Sequence, residues 1–181
     1  VIGTVIGIYF VATDGIVIGI ILAFAVISIY FYSTKIVNWG LAEVFVAIKG
    51  SMIVIGTYFV QTSNITEQAV LGGIVVGVLS SLVLFITSFP DHDADKAKGK
   101  KTLVISLGKQ KACMILWVFP TITYGITIIA VFLEIFPVFC LIILSTIPLI
   151  IKSGLKLKQD YDKLINLIPV MSSTLYFSRI T

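Results

Sequence analysis

Charged residues are scarce in this chain. Thirteen basic and nine acidic residues make up 12% of its 181 positions, about half of the charged fraction of a typical globular protein. The hydrophobic fraction is 58% and the mean hydropathy is +1.10. This composition excludes an ordinary soluble domain and predicts an integral membrane protein. The lipid bilayer is therefore an expected partner, and no nucleic acid is.

Cysteine is also rare. Cys113 and Cys140 are the only two, and both lie inside apolar runs. They support neither a disulfide framework nor a cysteine metal cluster. We expect both to be packing residues.

Long apolar runs, by contrast, are abundant. A membrane helix needs roughly 20 apolar residues to cross a bilayer, and charged or polar clusters divide the chain into seven apolar segments. These are residues 1–13, 15–32, 40–61, 67–89, 112–132, 135–151 and 164–180. Outer-membrane barrels show weaker, alternating patterns. The sequence therefore predicts an all-α, polytopic transmembrane bundle in a single domain, residues 1–181.

The first segment is short for a membrane helix. Its thirteen residues reach only about 20 Å at ~1.5 Å per residue, and it opens on Val1 without a methionine. We expect the numbering to begin inside a helix and an N-terminal part of the natural protein to be absent. A secretory signal explains this start poorly, because no basic region precedes the apolar run.

The basic residues favour one side of the predicted bundle. The links after the second, fourth and sixth segments share one membrane face and hold eleven of the thirteen basic residues, whereas the opposite links hold none. By the positive-inside rule this face is predicted to be cytoplasmic. The eleven are Lys35, Lys96, Lys98, Lys100, Lys101, Lys109, Lys111, Lys152, Lys156, Lys158 and Lys163.

The link after the fourth segment carries residues suited to metal and phosphate binding. Asp91 and Asp95 are four positions apart, so on a helix both carboxylates lie on one face. Such a pair can hold Mg²⁺, which takes one or two carboxylates and completes its shell with water and phosphate oxygens. With the lysines that follow, the pair predicts a diphosphate site at the membrane surface.

This link has two other interpretations. In a solvated loop the lysines would merely obey the positive-inside rule and the aspartates would balance their charge. A calcium loop of the EF-hand type is excluded, because Lys96 stands where glycine is required and Thr102 where glutamate is required.

These residues resemble a known family. Asp91-x-x-x-Asp95, Lys96 and the Gly-Lys-Lys-Thr-Leu run at 99–103 are similar to the second aspartate-rich motif of the UbiA superfamily of intramembrane prenyltransferases. Tyr32 and Lys35 resemble its tyrosine and lysine motif, with a shorter interval than usual.

The third segment adds a second likeness. Residues 40–62 resemble the branch of the superfamily that prenylates 1,4-dihydroxy-2-naphthoate. The resemblance implies a nine-helix bundle, with this chain supplying the last seven helices. The first two helices and the first aspartate motif would then precede Val1.

The resemblance also implies a reaction. A polyprenyl group would pass from its diphosphate to an aromatic acceptor, 1,4-dihydroxy-2-naphthoate or a 4-hydroxybenzoate type, in lipid-quinone biosynthesis. Asp91 and Asp95 would act as catalytic metal ligands for Mg²⁺ or Mn²⁺, and Asp93 would assist through water or a hydrogen bond. The residues implied to contact the diphosphate are Tyr32, Lys35, Lys100 and Lys101.

Two further residues have open interpretations. Lys49 lies midway along the third segment, where a charge is costly and marks a functional candidate. Its alternative is a structural pair with a carboxylate such as Glu43 or with a carbonyl. His92 stands beside the aspartates and can assist proton removal from the acceptor, or it is a solvent-facing loop residue.

Other functions compete with aromatic prenyl transfer. The acceptor could instead be a glycerol phosphate lipid or a tetrapyrrole. A non-enzymatic transporter would normally place ionisable residues near the midplane, whereas polarity here concentrates at one face. A scaffold whose lysines bind anionic lipid leaves the aspartate spacing unexplained.

Overall fold

The computed structural model describes residues 2–31 and 40–181. Within these ranges the chain folds into helices joined by short links, without a β-strand, which confirms the predicted all-helical fold class. The helices are α1 (Ile2–Asp14), α2 (Ile16–Phe31), α3 (Ala42–Thr62), α4 (Glu67–Thr87), α5 (His92–Ala97), α6 (Leu103–Leu107), α7 (Lys109–Ile115), α8 (Val118–Phe132), a 3₁₀ helix (Val138–Thr146), α9 (Ile147–Asp160) and α10 (Leu164–Ile180).

In the described part of the chain, each of the seven predicted segments lies mainly in helix. Four stretches of the described chain are long and apolar enough to cross a membrane: Ala42–Thr62, Glu67–Thr87, Lys109–Phe132 and Val138–Asp160. The third of these joins α7 to α8, and the fourth joins the 3₁₀ helix to α9. Their length and composition are those of an integral membrane protein.

Local sequence explains where several helices begin and end. The Thr66 hydroxyl accepts a hydrogen bond from the Ala69 amide and caps α4, and Thr102 caps α6 in the same way through Ile105. Ser63 ends α3 in the left-handed conformation, with φ at 53°. Such caps satisfy amides and carbonyls that a helix end leaves without partners.

One apolar core joins α4 to the helices that follow it. Leu82, Phe85, Ile86 and Phe89 are completely buried. Their partners in this core come from α7 to α10 and include Leu116, Phe119, Ile150, Leu157, Leu167, Val170 and Phe177. Inside a bilayer such contacts stabilise the bundle mainly by van der Waals packing. The core therefore holds the C-terminal end of α4, where the aspartate link begins and which the positive-inside rule predicts to face the cytoplasm.

Small residues let α3 and α4 cross closely. A Cβ built on Gly50 would stand 2.9 Å from the Cα of Gly77, and one on Gly73 would stand 3.0 Å from the Ser51 carbonyl oxygen. The Ser81 hydroxyl adds a 2.8 Å hydrogen bond to the carbonyl of Glu43. This crossing places the start of α3 beside the end of α4.

Candidate functional site

A short helix presents the aspartate pair. The chain turns after α4, and α5 begins directly after Asp91. The Asp95 amide donates a 2.8 Å hydrogen bond to the Asp91 carbonyl, so the two residues are one helical turn apart. Their side chains therefore share one face of the helix. Asp91 is exposed and the side chain of Asp95 is 17% exposed.

Lys100 lies against Asp95. Its ammonium nitrogen stands 2.7 Å from Asp95 Oδ1, and its amide donates to the Asp95 carbonyl at 3.1 Å. A charge-assisted bond of this length is stronger than a neutral hydrogen bond. The structure thus joins one of the predicted phosphate-binding lysines to the aspartate pair.

Asp93 has different partners. Asp93 is two positions from both Asp91 and Asp95, which is a rotation of about 200° around the helix axis. The Asp93 side chain therefore points away from the other two. It lies 2.7 Å from His92 Nδ1 and 3.8 Å from the ammonium of Lys109. The His92 hydrogen bond, and then the Lys109 charge, lower the pKa of Asp93. Its assisting role toward a metal stays a prediction.

His92, whose role stays a prediction, is the first residue of α5. Its side chain is partly buried, with 13% of it exposed. It lines a polar cavity of about 560 Å³ on the Asp93 side of α5. The walls also include Lys96, Lys109, Lys111, Tyr161 and Asp162. The cavity is lined both by the stretch from α5 to α7 and by the link that follows α9. These two lysine-bearing parts of the chain therefore lie at one end of the bundle.

The remaining predicted residues are more scattered. Tyr32 and Lys35 lie outside the described residues. Lys101 is exposed beyond α5, and Lys49 is exposed on α3 with no ion pair among the residues that the structure describes. The suggested pair of Lys49 with Glu43 does not form, because Lys49 is exposed whereas Glu43 is 2% exposed. One Glu43 oxygen accepts from the Leu103 amide, and the other has no hydrogen-bond partner among the described residues.

The donor chemistry of α5 fits a magnesium or manganese ion. Such ions bind proteins through one or two carboxylates and take other oxygens from water and phosphate. Asp91, which is exposed, and Asp95, whose side chain is 17% exposed, offer two carboxylates one helical turn apart. The described part of the chain has no group of three or more His, Cys, Asp or Glu residues suited to a metal. The pair therefore suits an ion that shares its shell with a substrate.

Glu43 is a further residue of this region, which the sequence indicated only as a partner for Lys49. It is 2% exposed, and its Oε1 accepts a 2.9 Å hydrogen bond from the Leu103 amide just beyond the lysine run. The available signal was an acidic residue in the first turn of an apolar span. Such a residue is costly to bury without a partner.

A family model places the chain. The model of the UbiA prenyltransferase family matches residues 1–168, which confirms the resemblance drawn from the aspartate motif. This chain belongs to the UbiA prenyltransferase family.

Three curated relatives match part of the chain, and all three are named as prenyltransferases that act on naphthoate or naphthoquinone compounds. A 1,4-dihydroxy-2-naphthoate octaprenyltransferase of Haemophilus influenzae is 38% identical over 73 residues, 40% of this chain and 24% of that protein. A 2-carboxy-1,4-naphthoquinone phytyltransferase of Synechocystis is 25% identical over 125 residues, 68% of this chain and 41% of that protein. A 1,4-dihydroxy-2-naphthoate octaprenyltransferase of Bacillus subtilis is 33% identical over 67 residues, which are 37% of this chain and 22% of that protein.

The matched part of each relative is less than half of its length. No solved structure matches the chain.

Proposed function

We propose that the protein is a membrane prenyltransferase of lipid-quinone biosynthesis. It transfers a polyprenyl group from its diphosphate to an aromatic acceptor, with 1,4-dihydroxy-2-naphthoate as the first choice. Family membership and the names of the relatives support this assignment. The observation that carries it is the carboxylate pair on α5 with Lys100 against it.

In the proposed reaction the allylic carbon–oxygen bond breaks, and its electron pair leaves with the diphosphate. An aromatic carbon of the acceptor supplies the electrons of the new carbon–carbon bond. That carbon then loses a proton, or carbon dioxide where it carries the carboxylate, and the electrons of the broken bond restore the aromatic ring. A divalent ion would neutralise the negative charge that builds on the diphosphate. Asp91 and Asp95 would hold it.

The chain's own cations have a defined part in this scheme. Lys100 is 41% exposed while its ammonium contacts Asp95, so it can reach a diphosphate bound at the same face. Fixed positive charges placed where charge develops stabilise a transition state. Lys101, and the motif residues Tyr32 and Lys35, are proposed to contact other diphosphate oxygens.

Metal removal tests this proposal. We expect excess chelator to lower prenyl transfer by the full-length protein in lipid nanodiscs by about 10²-fold or more, because the charge on the leaving group is then poorly neutralised. Mg²⁺ or Mn²⁺ should restore the rate. The assay follows radiolabelled prenyl diphosphate with naphthoate, hydroxybenzoate, glycerol phosphate and tetrapyrrole acceptors in parallel.

Two results contradict the proposal. Full turnover in chelator would remove the metal assignment. Transfer to the glycerol phosphate or tetrapyrrole acceptor, with none to the aromatic acids, would replace the proposed substrate class.

A further inference from the structure

Glu43 is a buried carboxylate with a long-range partner. It lies in the first turn of α3 and is 2% exposed. Its Oε1 accepts the 2.9 Å hydrogen bond from the amide of Leu103, sixty residues further along the chain. Leu103 is the first residue of α6. One side chain thus joins the start of α3 to the segment that follows the aspartate helix.

Two neighbouring features show how closely this junction is packed. Gly40 has a φ of +77°, and a Cβ built on it would stand 3.4 Å from the Lys101 carbonyl oxygen. On the other side, the Ser81 hydroxyl donates to the backbone carbonyl of Glu43 at 2.8 Å. The turn that enters α3 is therefore packed between α4 and the segment 101–103.

The segment between the aspartates and α6 is consequently held at both ends. At its start, Lys100 is bonded to Asp95 through its side chain and its amide. At its end, Leu103 is bonded to Glu43. Leu103 lies three positions beyond Lys100, and a stretch of this length spans at most about 10 Å. The anchor at Leu103 therefore limits where Lys100 and Lys101 can lie.

We propose that Glu43 is a positioning residue for the lysine segment, defined as residues 99–102. Its carboxylate holds the first amide of α6 and thereby fixes Lys100 and Lys101 beside the aspartate pair. The catalytic consequence rests on the proposed function, in which those lysines contact the donor diphosphate. The anchoring itself does not depend on it.

The bond requires an oxygen acceptor at the reach of a glutamate side chain. Glu43→Gln keeps an acceptor oxygen at that position. Glu43→Asp keeps the charge but shortens the side chain by one carbon–carbon bond, about 1.5 Å, so the acceptor falls short of Leu103. Glu43→Ala removes the acceptor. Glu43→Asp, which keeps the charge, should therefore loosen the lysine segment more than Glu43→Gln, which removes the charge.

Hydrogen exchange of the full-length protein in nanodiscs tests the anchor directly. We expect exchange in the peptide spanning residues 98–107 to rise about tenfold in Glu43→Asp and Glu43→Ala, because one hydrogen bond is lost. Glu43→Gln should stay within about threefold of the parent. Ser81→Ala is the matched control, since it removes the other hydrogen bond to Glu43 and leaves the carboxylate in place.

Kinetics give the second measurement. The KM for the prenyl diphosphate should rise about tenfold in Glu43→Asp, as expected for a misplaced charged contact, and should change little in Glu43→Gln and Ser81→Ala. If Glu43→Ala does not fold, the comparison of Glu43→Asp with Glu43→Gln still decides whether Glu43 positions the lysine segment.

Three outcomes would overturn the inference. The first is unchanged exchange in Glu43→Asp. The second is an equal rise in exchange and KM in Glu43→Gln and Glu43→Asp. The third is a rise in exchange in Ser81→Ala as large as that in Glu43→Asp. If the parent protein shows no prenyl transfer, the proposed function fails, and the exchange experiment alone still tests whether Glu43 anchors the segment.

Discussion

Replacing Asp95 by alanine is expected to lower prenyl transfer by about 10²–10³-fold, the loss typical when one preorganised electrostatic contact to a transition state is removed. Asp95 combines two features: it shares a helix face with Asp91, and it contacts the ammonium of Lys100. Its removal would deprive the ion of a ligand and Lys100 of its partner. Turnover of purified protein in nanodiscs measures the effect.

Two further variants make the Asp95 result specific. Asp95→Asn preserves the size of the side chain and should be nearly as inactive, because an amide binds a divalent ion more weakly than a carboxylate does. Asp162→Asn removes an exposed carboxylate at the same end of the bundle and should stay within about threefold of the parent, as for an ordinary surface substitution. Parent-like turnover of Asp95→Ala would remove the metal assignment.

Replacing Gly77 by alanine is expected to destabilise the fold by roughly 3 kcal/mol, the upper end of the usual cost of overpacking. The added Cβ would stand against the carbonyl oxygen of Ala47 and the hydroxyl of Ser51, both too close for a real contact. A backbone oxygen cannot swing away as a flexible side chain can, so α3 and α4 must separate. The free energy of unfolding in mixed detergent micelles measures the cost.

Gly72 supplies the matched control on the same helix. A Cβ built there meets nothing within 4 Å, and alanine favours a helix over glycine by about 1 kcal/mol. Gly72→Ala should therefore be neutral or slightly stabilising. Equal destabilisation by the two substitutions would show that the close crossing at Gly77 does not hold α3 to α4.

The membrane-length helices were accessible from the sequence because they lie in long apolar runs between polar clusters. The shorter helices and the breaks within the apolar runs were not accessible in this way. The sixth segment was predicted as one run from residue 135 to 151, whereas the structure divides it into a 3₁₀ helix and α9. That division depends on tertiary packing and on Pro137 and Pro148, which stand just before or at the start of those two helices.

The site was partly accessible for a similar reason. The shared face of Asp91 and Asp95 follows from their spacing alone. The same helical geometry turns Asp93 away from the pair, although its position between the two aspartates had favoured an assisting role. The bond between Glu43 and Leu103 joins residues sixty positions apart, and no local pattern encodes such a pairing.

A structure of the full-length protein with a non-hydrolysable prenyl diphosphate analogue and Mn²⁺, located by its anomalous scattering, tests most directly whether Asp91 and Asp95 hold the ion. We expect a manganese ion coordinated directly by carboxylate oxygens of both Asp91 and Asp95, with a diphosphate oxygen in the same shell. This expectation is contradicted if those carboxylates face bulk water while the ion and the phosphorus atoms lie elsewhere.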